Sequence, residues 1–133
     1  MDKHRIKFWG VRGSFPTPDR DKIETGGHSS CVEVRTADNE LIVFDMGTGF
    51  VPLGNALLLE ENSPKAAYVC ISHFHWDHII GYLGFVPFFS KDFTCTIYGK
   101  QDKLSIDEIF GHLHNYTFWP VEIPMYQATF NLH

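Results

Sequence analysis

The stretch from Ala66 to His78 constrains the fold of this chain more than any other feature. A short apolar run, Ala66 to Ile71, predicts a strand buried on both faces. After one serine it is followed by the hexad His73-Phe74-His75-Trp76-Asp77-His78. If the chain leaves the strand extended, His73, His75 and Asp77 alternate to one side, and His78 begins the next helix near them. Imidazole and carboxylate together suit zinc, and also manganese or iron.

The hexad offers more candidate ligands than one open catalytic zinc takes from a single loop. We therefore interpret it as contributing to two neighbouring metal ions. His73 and His75 would serve one ion, and Asp77 and His78 the other. The alternative is a histidine-rich surface loop that acquires metal by chance. The order and spacing of the ligands and the flanking sequence favour the first interpretation.

The hexad and its flanks resemble the metallo-β-lactamase superfamily, whose motif His-x-His-x-Asp-His follows a hydrophobic strand. The other matching segments are Phe8 to Ser14 with Pro16, Thr25 to Gly27, Ser29 to Cys31, and Leu41 to Gly49. This pattern is similar to the branch of the phosphoribosyl cyclic phosphodiesterases and, more distantly, to ribonuclease Z. The resemblance runs over nearly the whole chain.

The resemblance implies an α+β fold, an αββα sandwich of two mixed sheets packed face to face with helices outside. Residues 1–133 form a single domain that looks like the first half, one mixed sheet with outer helices. In the family the second half supplies a third histidine, an aspartate that bridges both metals and a final histidine. None has a clear match here, and His133 lies in no recognisable motif. Because half a sandwich leaves an apolar sheet face uncovered, we expect a homo-oligomer or a missing second half to cover it.

The resemblance also implies a dinuclear metal hydrolase with two divalent ions, zinc first and manganese or iron as alternatives. A metal-bridging hydroxide would attack a phosphodiester, expected to be a small cyclic phosphate or a nucleotide. Asp77 is the candidate catalytic residue, and no protein nucleophile is expected. One alternative is a truncated or partner-dependent metal-binding protein without activity of its own. Another is a thioester or lactam hydrolase of the same superfamily.

Two residues outside the hexad are candidates for the site. Asp45 ends a predicted strand beside Gly47-Thr48-Gly49. The resemblance implies that Asp45 accepts hydrogen bonds that hold the metal-binding loop in shape, as carboxylates behind metal ligands do; the alternative is an ordinary turn aspartate. His28 stands where the family carries a small polar residue, and we leave open a substrate-facing role and a loop-packing role.

Other histidines and aromatic residues have structural interpretations. His112 and His114 are two apart on a predicted helix over 104–114, so they point in different directions and are interpreted as surface or partner-contacting residues. Between 79 and 89 the sequence predicts a helix, alone or followed by a loop. Its aromatic side chains favour a core position over the wall of a substrate cleft: Tyr82, Phe85, Phe88 and Phe89.

Composition limits the partners and the location. The net charge is −5 with histidine neutral, which disfavours binding to a nucleic-acid backbone, so nucleic acid is not an expected partner. A small phosphate ester held by metals remains compatible with this charge. Cys31, Cys70 and Cys95 are odd in number and form no Cys-x-x-Cys pair, which predicts buried free thiols in a reducing compartment. No signal peptide and no apolar run of membrane-spanning length is visible, so we expect a cytoplasmic protein without membrane contact.

Overall fold

A computed structural model describes residues 3–100 and 103–133, which form a mixed sheet of six strands with helices against one face. The strands are β1 (Arg5–Gly10), β2 (Cys31–Arg35), β3 (Leu41–Phe44), β4 (Ala66–Ile71), β5 (Thr94–Gly99) and β6 (Thr129–Leu132). The α-helices are α1 (Phe50–Leu59), the single turn α2 (Trp76–Ile79) and α3 (Ile106–Leu113). Short 3-10 turns lie at Arg20–Lys22, Ile80–Gly84, Val86–Phe89 and Ile123–Met125. This confirms the expected mixed sheet with outer helices.

The strand order in the sheet follows the order in the chain. β1, β2 and β3 pair antiparallel, and the turn between β2 and β3 places Asn39 at φ 65°, a left-handed conformation that asparagine tolerates. β3, β4, β5 and β6 pair in parallel, and each connection between them carries helical segments. The carboxyl ends of β3, β4 and β5 therefore meet at one edge of the sheet, where the hexad follows β4.

The helical side of the sheet holds the hydrophobic core. The segment after the hexad contributes Tyr82, Phe85 and Phe88, all buried, and Phe85 stacks on Phe50 of α1 with ring centroids 3.9 Å apart. The expectation that these aromatic residues are core residues is confirmed for all three. Phe89 is the exception, since 41% of its surface is exposed.

The opposite side of the sheet is uncovered by any described residue, and we call it the open face. Its side chains include Ile6, Phe8, Val32, Val34, Ile42, Phe44, Tyr68, Cys70 and Tyr98. Phe8 is 67% exposed and Phe44 is 46% exposed. The prediction that β4 is buried on both faces is therefore wrong. Ala67, Val69 and Ile71 are buried while Tyr68 is exposed, because helices pack on one side of the sheet only.

A buried ion pair replaces apolar contacts on the core side of β2. Glu33 and Arg35 are both almost fully buried, and Nη2 of Arg35 lies 2.9 Å from Oε1 of Glu33. Glu33 also accepts a 2.7 Å hydrogen bond from the indole of Trp9, and Arg35 pairs with Glu60 just after α1. Each charge thus has a partner, as buried charges require, and the network ties β1 and β2 to α1.

Two further expectations have different outcomes. Cys31 and Cys95 are buried free thiols as predicted, and Cys70 is a half-buried free thiol on the open face. His114 is buried, and its Nδ1 donates to the carbonyl of Val121 at 2.8 Å, so its interpretation as a surface residue is wrong. The reason is that α3 ends before His114, and the following chain folds back over the ring.

No helix within residues 3–100 and 103–133 has the length and apolarity to span a membrane.

Candidate metal centre

The hexad lies at the carboxyl end of β4, and we call residues 72–78 the metal loop. The chain stays extended only as far as His75 (φ −69°, ψ 152°), after which α2 begins at Trp76. The prediction that Asp77 continues an extended alternation is therefore wrong, and His78 lies inside the helical turn rather than at its start. The turn still returns both side chains to the side of His73, because it reverses the direction of the loop.

The structure brings all four predicted ligands together. The ring of His73 lies 4.5 Å from that of His75 and 4.0 Å from that of His78, measured between centroids. Nε2 of His78 lies 3.2 Å from Oδ2 of Asp77. The two halves of the predicted ligand set, His73 with His75 and Asp77 with His78, are thus adjacent.

Asp45 lies behind this cluster and is buried. Its Oδ2 accepts hydrogen bonds from Nδ1 of His78 at 2.7 Å and from the hydroxyls of Ser72 and Ser30 at 2.9 and 3.0 Å. Its Oδ1 accepts the backbone N–H of Ser72 at 2.8 Å. With its proton on Nδ1, His78 presents an unprotonated Nε2, which is the atom that can coordinate a metal. A hydrogen bond at the other ring nitrogen is the usual way in which a metal-binding imidazole is oriented.

The backbone of Asp45 is strained in a way that serves this contact. Its φ is 62°, in the left-handed region that aspartate tolerates better than most residues. This conformation turns the chain at the end of β3 so that the carboxylate faces the start of the metal loop. Asp45 thus has the position expected of a residue that holds the loop in shape.

Asp77 receives a hydrogen bond that the sequence did not predict. The backbone N–H of Ser14 donates to Oδ2 of Asp77 at 2.9 Å, with Ser14 itself at φ 67°. Desolvation acts to raise the pKa of Asp77, but the Ser14 amide and the neighbouring imidazoles of His78 and His73 outweigh it and lower that pKa. Asp77 is therefore an anion at neutral pH.

Backbone contacts fix the metal loop against the loop after β3. The N–H of Met46 donates to the carbonyl of His78 at 2.7 Å, and the N–H of Gly81 donates to the carbonyl of Met46 at 2.8 Å. A Cβ on Gly47 would collide with the carbonyl of Asp77, and one on Gly81 would collide with the carbonyl of Gly47. Glycine is required at both positions because the two backbones touch.

The donor set fits divalent metals, and its two halves differ in geometry. Two ligands on a tetrahedral zinc lie about 3.4 Å apart, given bonds of about 2.1 Å, and the Asp77–His78 pair at 3.2 Å is close to that spacing. The rings of His73 and His75 pack against each other, so their nitrogens converge on an ion only after side-chain rotation. Within the described ranges no group of three or more histidine, cysteine, aspartate or glutamate side chains is arranged to hold one ion.

The remaining histidines near this edge do not join the cluster. Nδ1 of His28 lies 3.2 Å from the hydroxyl of Thr48, in a rim pocket that also includes Pro16. His133 stacks on Tyr98 with centroids 5.2 Å apart, and its carbonyl accepts the N–H of Gly99 at 3.0 Å. His112 lies on the far wall of a cleft that opens beside His73 and His75.

Two sequence relatives cover most of this chain, whereas no family model matches it. Ribonuclease Z of Methanosarcina mazei is 30% identical over 109 residues, which is 80% of this chain and 32% of the relative. Ribonuclease Z of Methanosarcina acetivorans is 29% identical over 112 residues, 82% of this chain and 33% of the relative. The chain thus spans about a third of the length of these curated relatives.

Solved structures share the fold over nearly the whole chain. A diphosphatase from the PhnP family superposes with a TM-score of 0.61 at 14% identity, covering 98% of this chain and 51% of that structure. The short form of human tRNase Z gives a TM-score of 0.59 at 21% identity, covering 96% of this chain and 44% of that structure. The sequence relatives, this fold and the histidine-rich loop after β4 together support the resemblance to the metallo-β-lactamase superfamily.

Proposed function

We propose that this chain contributes one half of the metal centre of a dinuclear hydrolase that cleaves phosphodiesters. The observation that carries the proposal is the convergence of His73, His75, Asp77 and His78 at one sheet edge, with Asp45 bonded to the back of His78. Such a cluster is costly to assemble, because it places three imidazoles and an anion side by side. Ligation of cations accounts for that arrangement better than packing does.

The residues divide into three roles. His73 and His75 would hold one cation, and Asp77 and His78 the other, with zinc first and manganese or iron as alternatives. When bound, two such cations lower the pKa of a water molecule and neutralise charge on the phosphoryl oxygens. Asp45 fixes the tautomer of His78, and the Ser14 amide keeps Asp77 anionic and oriented.

This chain supplies two ligands for each cation, so further ligands would come from elsewhere. The open face indicates a source for these ligands, because it exposes an apolar surface that a second layer would bury. Its exposed side chains include Ile6, Phe8, Phe44 and Tyr98. Additional chain of a longer protein or a second copy could form that layer. The length comparison supports the first source, because the relatives are about three times as long as the segment they share with this chain.

The substrate class follows from the relatives only at a coarse level. The sequence relatives are named as ribonucleases and one structural neighbour as a diphosphatase, so a phosphate ester or anhydride is the common chemistry. The expectation that nucleic acid is not a partner has no support from these relatives, and it rested on net charge alone. We propose a phosphodiester with a nucleotide or cyclic phosphate at the scissile bond.

A metal-binding protein without activity of its own is the second candidate. Its support is that no three potential ligand side chains in the described part of the chain are ready to hold one ion. With two ligands per cation, affinity is expected to be weak. A thioester or lactam hydrolase shares the same ligand set and differs only in its substrate.

Metal content and turnover together test the proposal. The chain is loaded with zinc or manganese, its metal is counted by mass spectrometry, and hydrolysis of bis(p-nitrophenyl) phosphate is followed. His75→Ala and Asp77→Asn are expected to lower turnover by at least about 100-fold, since each removes several kcal/mol of charge stabilisation. The exposed His4→Ala is the matched control. A folded protein with two metals per chain that cleaves a thioester or lactam but no phosphodiester would overturn the proposal.

A further inference from the structure

A cleft of about 790 Å³ opens beside the metal loop, between that loop and α3. The metal loop forms one wall with His73 and His75, and α3 with the chain after it forms the other. This volume is within the range of small-molecule sites, which is about 300–1,000 Å³. The cleft is therefore large enough for a whole nucleotide and not only for a phosphate group.

Aromatic side chains are exposed on both walls of the cleft. Trp76 on the metal loop is 65% exposed, and Phe118, in the segment after α3, is 75% exposed. Phe74 adds a half-buried ring from the metal loop. Large apolar rings that face solvent in a cleft are the surfaces on which nucleobases stack.

The charge of the cleft is opposite to that of the chain. The chain has 16 acidic and 11 basic residues, yet the charged side chains found among the described residues of the cleft are Lys100 and Lys103. His112 of α3 adds an imidazole to the lining. No described lining residue is acidic. Local positive charge in an acidic protein attracts an anion to this place.

We propose that the cleft binds a nucleotide unit, with its base against Trp76 and Phe118 and its phosphate between the lysines and the His73–His75 side. The assignment rests on the proposed function, because it names the group that the hydrolase presents to its metal ligands. It adds the requirement for an aromatic base, which a sugar phosphate lacks. The nucleotide can come from a free mononucleotide or from the end of an RNA strand, since both have this chemistry.

Binding in the absence of metal tests the cleft apart from catalysis. In the presence of EDTA, adenosine monophosphate and ribose 5-phosphate are titrated into the full chain by calorimetry. Adenosine monophosphate is expected to bind about tenfold more tightly, as one base–aromatic stack provides. Trp76→Ala and Phe118→Ala each remove most of that preference and leave the affinity for ribose 5-phosphate unchanged. Lys103→Ala weakens both ligands by a similar factor.

Tyr116 provides the matched control, because it is an exposed aromatic residue next to Phe118 that does not line the cleft. Tyr116→Ala is expected to leave both affinities unchanged. Circular dichroism confirms that each variant is folded. Because Phe118 lies outside the metal loop, its variant separates base stacking from any disturbance of the ligands.

The outcomes are distinct for this inference and for the proposed function. Equal binding of the two ligands, or an unchanged preference in both aromatic variants, overturns the nucleotide assignment even if the metal-loaded protein hydrolyses phosphodiesters. A tenfold preference that both variants abolish supports it even if the chain is inert. A tetranucleotide RNA that binds more tightly than the mononucleotide identifies a strand as the source, and equal binding identifies the free nucleotide; both results support the base site.

Discussion

Oδ2 of Asp45 lies 2.7 Å from Nδ1 of His78, which is 33 residues further along the chain. This contact joins the end of β3 to the helical turn that follows β4, and it sets which nitrogen of His78 is free. A single buried carboxylate therefore affects both the stability of the sheet edge and the orientation of a candidate metal ligand.

Replacing Asp45 separates these two effects. Asp45→Asn keeps the left-handed backbone and the shape of the side chain, whereas Asp45→Ala loses the hydrogen bonds and adds strain. Asp45→Ala is expected to lower the free energy of unfolding by about 2–4 kcal/mol in urea titrations, since hydrogen bonds to a charged group are lost from a buried site. Asp45→Asn is expected to cost less stability but to weaken zinc binding about 10–100-fold.

The exposed Asp92→Asn is the control for both measurements. If Asp45→Asn binds zinc as the unchanged protein does, Asp45 acts on folding alone and has no part in orienting His78.

Glycine at position 81 is required by the contact between two backbones. Gly81→Ala places a methyl group against the carbonyl of Gly47, which cannot move without displacing the loop after β3. We expect a loss of more than about 3 kcal/mol of unfolding free energy, or no folded protein. Gly111→Ala in α3 is the matched control, since nothing lies within 4 Å of the added methyl group. That variant is expected to be more stable by about 0.5–1 kcal/mol. Similar stabilities for the two variants, measured by thermal unfolding, would contradict this account.

The stability of the first turn of α3 is expected to depend on pH. Hydrogen bonds from the backbone and hydroxyl of Ser105, with the nearby His112, lower the pKa of Glu108 from its ordinary value of 4.5. A depressed pKa in the folded state means that Glu108 stabilises the helix above its ordinary pKa and loses that effect as the pH falls through the folded pKa. Nuclear magnetic resonance of the Glu108 carboxyl between pH 6 and 2.5 should show both the low midpoint and fraying of the first turn in acid.

Ser105→Ala is expected to raise the Glu108 midpoint part of the way toward the ordinary range, since the backbone donor remains, and to cost about 1 kcal/mol of stability through loss of the cap. An unchanged midpoint in that variant would show that the Ser105 hydroxyl does not contribute to the lowered pKa, because the backbone N–H at this position remains.

Two buried tyrosines should lose their protons at a higher pH than exposed tyrosines do. Burial raises the pKa of Tyr126 to about 12, and burial likewise raises the pKa of Tyr82. A raised pKa means that these groups favour the folded state below their ordinary pKa, and that this contribution is lost as the pH rises through the folded value. Absorbance at 295 nm should therefore continue to rise near pH 12 in the folded protein and reach its plateau earlier in urea. Coinciding curves would contradict the burial of both rings.

The open face should control association. Phe44→Lys places a charge on this face at the end of β3, where it disfavours burial against any second layer. If a second copy covers the face, sedimentation velocity should show a concentration-dependent dimer that this substitution abolishes. Leu59→Lys is the control, because Leu59 is 89% exposed at the end of α1 on the helical side of the sheet. A monomer at all concentrations would leave additional chain as the covering layer.

The sequence predicted the elements whose patterns are local. The apolar run from Ala66 to Ile71 located β4, and the predicted strand that ends at Asp45 is β3. It failed for the path of the metal loop, because the return of the chain at Trp76 depends on backbone contacts with Met46, which no local pattern shows. It also failed for the face of β4, since which side of a sheet receives helices is decided by distant segments.

Within the candidate centre, the sequence showed the residues that could bind metal. It showed only some of the groups that form hydrogen bonds to them. The role of Asp45 was predicted from the family resemblance, whereas the Ser14 amide could not be found, because a backbone donor has no sequence pattern. The cationic wall of the cleft was missed for a similar reason. Lys103, just before α3, and His112 on α3 carry no pattern in the sequence that marks a site, and only the fold places them in the cleft with His73.

The two sides of that cleft differ in how freely they can vary. The side formed by the metal loop is held by the contact of Gly47 with the carbonyl of Asp77, so even a methyl group there displaces candidate ligands. The side formed by α3 has exposed lining residues, such as His112. Altered substrate preference, whether arising naturally or by engineering, is therefore to be sought along α3 rather than at the backbone contact between Gly47 and the loop.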